Sequence, residues 1–301
     1  MLGSIFSMAL LAATANHRLR FPQNPVSINT GLAFKFSEYD HFVDAKNGAV
    51  IATSPDGYID TLVARQVKAV LISYGGNSRL PGELNERMSA GFVGGGNEFL
   101  LMELSDTSLQ YWRYTSNLGN RDRADQRIWQ NYFVAGAKVP RQILPISLPD
   151  LDYAADKLFS TLQNARKLCE KDISLRESNW EKLFTETATG LRDLQVADDQ
   201  VNDTWSRLGW TLQQRALFNA ASKAWVFGGI GSWNDTSPSD LALQPEYERV
   251  SAQLFDAVNS AVVAAVNVAS PATHLPKLIG RINHPGQKSQ WWKFWRQSSR
   301  S

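Results

Sequence analysis

Three prolines within ten residues, Pro140 to Pro149 (PRQILPISLP), divide the chain into two stretches with different hydrophobic patterns. Before this segment, apolar residues come in short runs rich in β-branched and aromatic side chains, the pattern of strands. After it they recur every three or four positions, as one face of a helix requires. Proline fixes φ and removes a backbone donor, so the segment reads as an extended connection between domains. The pattern predicts an α+β fold with a mixed or antiparallel N-terminal sheet and a helical C-terminal half. The expected units are a terminal segment at 1–20, an α+β domain at 21–139, a helical domain at 150–270 and a tail at 281–301. The alternative is one continuous domain with its helices on one face of the sheet.

Strands are expected at Val26 to Phe36, Ala49 to Thr53, Val67 to Tyr74, Glu98 to Leu104, Leu109 to Thr115 and Arg127 to Val134. Leu109 to Thr115 (LQYWRYT) carries aromatics on both alternating faces, which suggests cover on both sides or one wall of a binding surface. Ser37 to Lys46 reads as a short helix with a Ser N-cap and Asn47-Gly48 as its stop. Ser54 to Gly57 reads as a turn, and Asn117 to Asp125 as a long polar loop. In the second half, helices are expected at Asp150 to Asp172, from a Ser178-Asn179-Trp180-Glu181 capping box to about Asp193, and at Thr211 to Phe227. A weaker helix or loop follows from Asp198 to Gly209. A long helix begins at Pro245, a residue suited to the first helical position.

Of the 301 residues, 43% are apolar and 20% charged, which fits a folded chain. The formal charge of +2 is too small to point to nucleic acid as a partner. It is unevenly spread: Arg281 to Ser301 holds five basic residues and no acid, leaving the rest at a net −3. Cys169 is the lone cysteine and reads as a small buried hydrophobe. Ile5 to Ala13 (IFSMALLAA) is too short to span a bilayer and lacks a basic n-region before it, so it reads as a packed terminal segment of a cytoplasmic protein. The alternative is a periplasmic protein with a signal peptide cut near Ala13-Thr14-Ala15.

No nucleophile elbow, zinc-protease motif or CxxC pair occurs in the sequence, so no metal and no cofactor are expected. On the expected helix, His41 and Asp44 stand at i and i+3, an exposed helix pair more than an acid–base pair. Asp199 and Asp203, at i and i+4, read as a solvated helix face before a cation site. The glycines from Gly91 to Gly96 read as turn chemistry.

The sharpest local feature is Ala224 to Asp235 (AWVFGGIGSWND). A helix runs into Gly228-Gly229, with Gly231 next and Trp225 and Trp233 on either side. Glycines there allow a tight reversal, and exposed N–H groups in such a turn can hold an anion. Neither a P-loop nor a dinucleotide fingerprint is present. The expected role is a rigid aromatic corner in which Asn234 or Asp235 caps the next element. The alternative is a ligand or partner site on Trp225, Gly228, Gly229, Gly231, Trp233, Asn234 and Asp235. This string, with the helix PEYERVSAQLFDAV after it, resembles a motif of bacterial hypothetical proteins of unassigned activity, over Thr211 to Val268. The resemblance implies a bacterial protein and brings no chemistry with it.

The tail concentrates Trp291, Trp292, Phe294 and Trp295 beside Lys293 and Arg296. Such a segment suits self-docking, a groove on a partner, or an anionic membrane surface. The leading functional expectation is a bacterial non-enzymatic binding protein with a protein partner, of the kind that serves as an immunity or accessory partner of a toxin or defence system. The alternatives are an enzyme or sensor of a phosphate-bearing small molecule at the 228–235 corner, and peripheral membrane attachment through the tail.

Overall fold

A computed structural model describes residues 3–28, 33–74, 99–104, 108–140, 150–197, 200–228 and 231–268. The fold is α+β, with a helical C-terminal half. Its elements are α1 (Gly3–Arg20), β1 (Ser37–Asp44), β2 (Val50–Ala52), α2 (Pro55–Ala64), β3 (Ala69–Tyr74), β4 (Phe99–Leu104), β5 (Ser108–Leu118) and β6 (Trp129–Pro140), followed by the helices α3 (Leu151–Lys171), α4 (Ile173–Glu177), α5 (Trp180–Arg192), α6 (Gln200–Arg207), α7 (Leu212–Lys223) and α8 (Gln244–Asn267). Most of the proline-rich segment, 141–149, lies outside the described residues, as do the 91–96 glycines.

The strands form one six-stranded sheet in the order β2-β1-β6-β5-β4-β3. The pair β1–β6 is parallel and the other pairs are antiparallel, so the sheet is mixed. Five of the expected strands are present.

Ser37 to Lys46 departs from expectation: where a helix was expected, Ser37–Asp44 is strand and 45–46 begin a turn. Asp40 and Phe42 point inward and are buried, while Tyr39, His41 and Val43 alternate to the other face. Phe42 stacks on Tyr58 and Phe133 with ring centroids 4.2 and 4.5 Å away. Burial of that one face outweighs the local helix signal, since β preference is largely side-chain packing. Asn47-Gly48 is accordingly a hairpin turn, with Gly48 at φ 70 and Asp44 N–H bonded to the Ala49 carbonyl at 2.9 Å.

Ser54 caps α2 by accepting from Gly57 N–H at 3.2 Å, with Pro55 at the helix start, so the expected turn opens a helix. Among the described residues of 26–36 there is no strand.

α1 packs on β3, β4 and β5, and α8 also packs on β3. Ile5, Met8, Ala9, Leu11, Ala12 and Ala15 of α1 are buried. They belong to one apolar cluster that also takes in Trp112 and Phe133 of the sheet and Leu158, Phe184, Leu217 and Leu254 of the bundle. Truncating a large side chain in such a core costs about 3–5 kcal/mol.

In the second half, α3, α5, α7 and α8 pack as a bundle: α3 against α5 and α8, and α7 against α5 and α8. The capping box expected at Ser178 does not form. Asn179 precedes α5 at φ 63 without a side-chain cap, and Ser178 Oγ instead donates to the Leu175 carbonyl at 2.8 Å. A complete box forms at Thr211 and Gln214, where each side chain serves the other's backbone N–H. Trp205-Ser206-Arg207-Leu208-Gly209-Trp210 ends α6. Gly209 at φ 80 lets Trp210 N–H reach the Trp205 carbonyl at 3.1 Å, and the two indoles stack 4.2 Å apart.

The β3 edge of the sheet is closed by side chains. Asn16 of α1 accepts from Val70 N–H at 2.9 Å and donates to the Val70 carbonyl at 2.6 Å. Asn267, the last residue of α8, does the same to Ile72, at 2.9 and 2.8 Å. Residues 70 and 72 are those whose backbone groups face away from β4 in an antiparallel ladder.

Candidate functional site

The outer face of the sheet, opposite α1 and α8, carries a cluster of rings at the β1–β6 seam. Parallel register sets His41 beside Tyr132, and alternation sends Tyr39, His41 and Tyr132 to one face. Tyr39 and His41 stack with centroids 4.4 Å apart, and Tyr132 meets each edge-on at 5.5 and 5.9 Å. The two phenol oxygens lie 2.5 Å apart. That bond, then burial, pushes the Tyr39 phenol up to about 12. All three rings are half-buried.

A bulge between Ser37 and Tyr39 adds one residue to β1 and aims the Glu38 carboxylate at this seam. Glu38 accepts from Gln130 Nε2 at 2.9 Å and from Arg123 Nη1 at 3.1 Å. Arg123 also grips Asp125 with two nitrogens, at 3.0 and 2.8 Å. This fork holds the Asp125 carboxyl well below its ordinary range. The loop expected to be long and polar is therefore pinned to the sheet at Arg123. Gly119 makes room for the pin, since a Cβ there would stand 2.7 Å from Glu38 Oε2.

Beneath the rings, on the inner face, lies a polar network. Asn131 Nδ2 donates to Asp40 Oδ1 at 2.7 Å and to Ser37 Oγ at 2.8 Å, and Tyr114 O–H donates to Asn131 Oδ1 at 2.7 Å. Burial raises the Asp40 carboxyl above its ordinary range against the pull of Asn131 and Ser37. Burial likewise pushes the Tyr114 phenol up to about 12. One face of the seam thus carries rings, while the other fixes the two strands by a side-chain network.

The glycine–tryptophan corner turns its aromatic groups inward. Trp233 is fully buried, donates from Nε1 to Ser251 Oγ at 2.7 Å, and stacks on Tyr247 at 5.0 Å. Tyr247 O–H donates to the Trp233 carbonyl. Trp225 is 8% exposed and donates to the Phe227 carbonyl at 3.1 Å. Trp233 N–H closes the reversal on the Val226 carbonyl at 3.0 Å, with Gly231 at φ 83. Trp233, Asn234 and Asp235 form a single 3-10 turn. Gly228 carries the carbonyl that accepts from Ser232 Oγ at 3.1 Å, and Gly229 lies outside the described residues. This geometry is that of a scaffold.

Other candidates separate. Because β1 is a strand, His41 and Asp44, an odd number of residues apart, project to opposite faces and form no pair. Cys169 is buried, and its thiol is pushed up to about 12, first by burial, so it is a poor nucleophile at neutral pH. Asp203 is exposed on α6, and Asp199 lies outside the described residues, as do Trp291, Trp292, Lys293, Phe294, Trp295 and Arg296. Among the described residues, no three His, Cys, Asp or Glu side chains gather as a metal site, and no helix is long and apolar enough to cross a membrane.

The ring cluster escapes sequence reading because Tyr39 and Tyr132 are 93 positions apart and meet only through the parallel pairing. The available signal was the aromatic alternation Tyr39-x-His41. No family model, no curated protein and no solved structure matches the chain.

Proposed function

We propose that the chain is a non-enzymatic binding protein that engages a protein partner through the outer face of the β1–β6 seam. The observation that carries this reading is the cluster of half-buried rings, Tyr39, His41 and Tyr132, locked to one another on interior strands of the sheet. Rings held in place lose little freedom on binding, and aromatic residues are enriched among those that supply binding energy. The pinned Glu38–Arg123 pair supplies a polar rim beside them. The bacterial setting rests on the resemblance of the 224–235 string, and the role we assign within it, an immunity or accessory partner of a toxin or defence system, on the aromatic-rich surfaces and on a sequence without a recognised catalytic motif. In this reading the corner is scaffold and the seam is the recognition surface.

Affinity purification of the tagged full chain from its host tests the proposal, with the double variant Tyr39→Ala/Tyr132→Ala beside it. A stoichiometric protein recovered with the native chain and reduced at least tenfold with the variant is the expected result. Recovery of the same protein by both chains would assign recognition elsewhere. Recovery of the chain alone would count against the binding function itself.

A further inference from the structure

The chemistry at the β3 edge points beyond structural support. An edge strand ordinarily leaves alternate N–H and C=O groups unpaired, a template on which another chain can add a strand. Here those groups at Val70 and Ile72 belong to residues that are fully buried, where an unpaired backbone group is costly. Asn16 and Asn267 meet both groups of each residue, with donor and acceptor in the arrangement that a neighbouring strand would offer. Both asparagines are themselves buried, at 2% and 1% exposure, so water does not share the task. The two amides are far apart in sequence, one from α1 and one from the final turn of α8.

We infer that Asn16 and Asn267 are a two-point latch that stands in for a seventh strand and keeps the β3 edge from pairing with a second copy of this chain. Both act as positioning residues. When the last turn of α8 lifts, the Ile72 groups are freed as a pair, and the edge becomes competent for antiparallel pairing.

Residue-resolved amide exchange and sedimentation of the full chain test the latch, using Asn267→Ala and Asn267→Asp. In the native chain, Ile72 N–H should exchange as slowly as Leu71 N–H, which faces β4. In Asn267→Ala, Ile72 exchange should rise at least tenfold while Leu71 stays protected, and a concentration-dependent dimer should appear. Asp keeps the acceptor for Ile72 N–H, and when protonated its O–H can donate to the Ile72 carbonyl, so Asn267→Asp should restore most of the Ile72 protection at pH 3.5. That rescue also carries the test if the alanine variant does not fold. Unchanged Ile72 exchange in Asn267→Ala, or a chain that stays monomeric once Ile72 is exposed, would overturn the inference. So would an aspartate variant with Ile72 unprotected at pH 3.5.

Discussion

Asp172 and Asp40 are both almost wholly buried, at 3% and 6% exposure, yet their carboxyl groups are shifted in opposite directions. At Asp172, burial pushes upward but is outweighed by hydrogen bonds, and the group is held well below its ordinary range. At Asp40, burial wins and the group is raised. Asp172 is also the better supplied with donors. Asp172 sits at the start of α4, where backbone N–H groups have no helical partner. It accepts from Ser174 N–H, Ser174 Oγ and Leu175 N–H on one oxygen, and from Ser239 Oγ and Asp240 N–H on the other. Asp40 sits inside a sheet, where neighbouring N–H groups are spent on the ladder and only side chains remain to serve it. Local backbone geometry therefore decides whether a buried carboxyl stabilises this fold as an anion.

Removing the better-served group gives the largest effect. Asp172→Ala should lower stability by about 3 kcal/mol in urea unfolding, because a helix cap and the tie to the 239–240 segment go together. A loss under 1 kcal/mol would break the contrast. Next, Asn131→Ala strips Asp40 of a donor and leaves Tyr114 O–H without its acceptor, so about 2 kcal/mol should be lost at pH 7. Ser239→Ala removes one donor of several and should cost about 1 kcal/mol, with the acid limb of the stability curve moved to higher pH.

The sharpest contrast is one of sign. Asp172 is depressed in the folded state, so its contribution is full above the unfolded value of about 4 and is lost as pH falls below it. Asp40 is raised, so its contribution is full below about pH 4 and is lost as pH rises through the folded value. Urea midpoints at pH 3.5 and pH 7 separate the two. Relative to the native chain, Asp172→Asn should lose most at pH 7. Asp40→Asn should fare better at pH 7 than at pH 3.5. If both variants moved the same way, burial alone would govern these groups.

The legible parts of the fold are those whose signals are local. β3 and β6 announce themselves by runs of β-branched and aromatic residues, β4 by a short apolar run, and α3 and α8 by spacing over many turns. Failures occur where a distant contact decides. Ser37 to Asp44 carries a plausible helix start and becomes a strand because Phe133 and Tyr58 bury Phe42. Ser178 and Glu181 have the spacing of a capping box, but Ser178 spends its hydroxyl on the preceding turn, while Thr211 and Gln214 form one. The reversal at the corner was legible from its glycines, and Trp225 and Trp233 are buried beside it. The ring cluster was not legible, because nothing near Tyr39 signals that β1 pairs in parallel with β6.

The placement of α1 sets the order in which this chain can be made. The helix precedes its partners in the chain: α2, β3, β4 and β5 follow it, and α8, the last described helix, also packs on it. Its buried face, from Ile5 to Ala15, takes its first cover from α2, β3, β4 and β5 and its last from α8. Until those elements are made it is an apolar segment awaiting partners. Cellular yield should thus depend more on chaperone supply than on the equilibrium stability of the finished molecule.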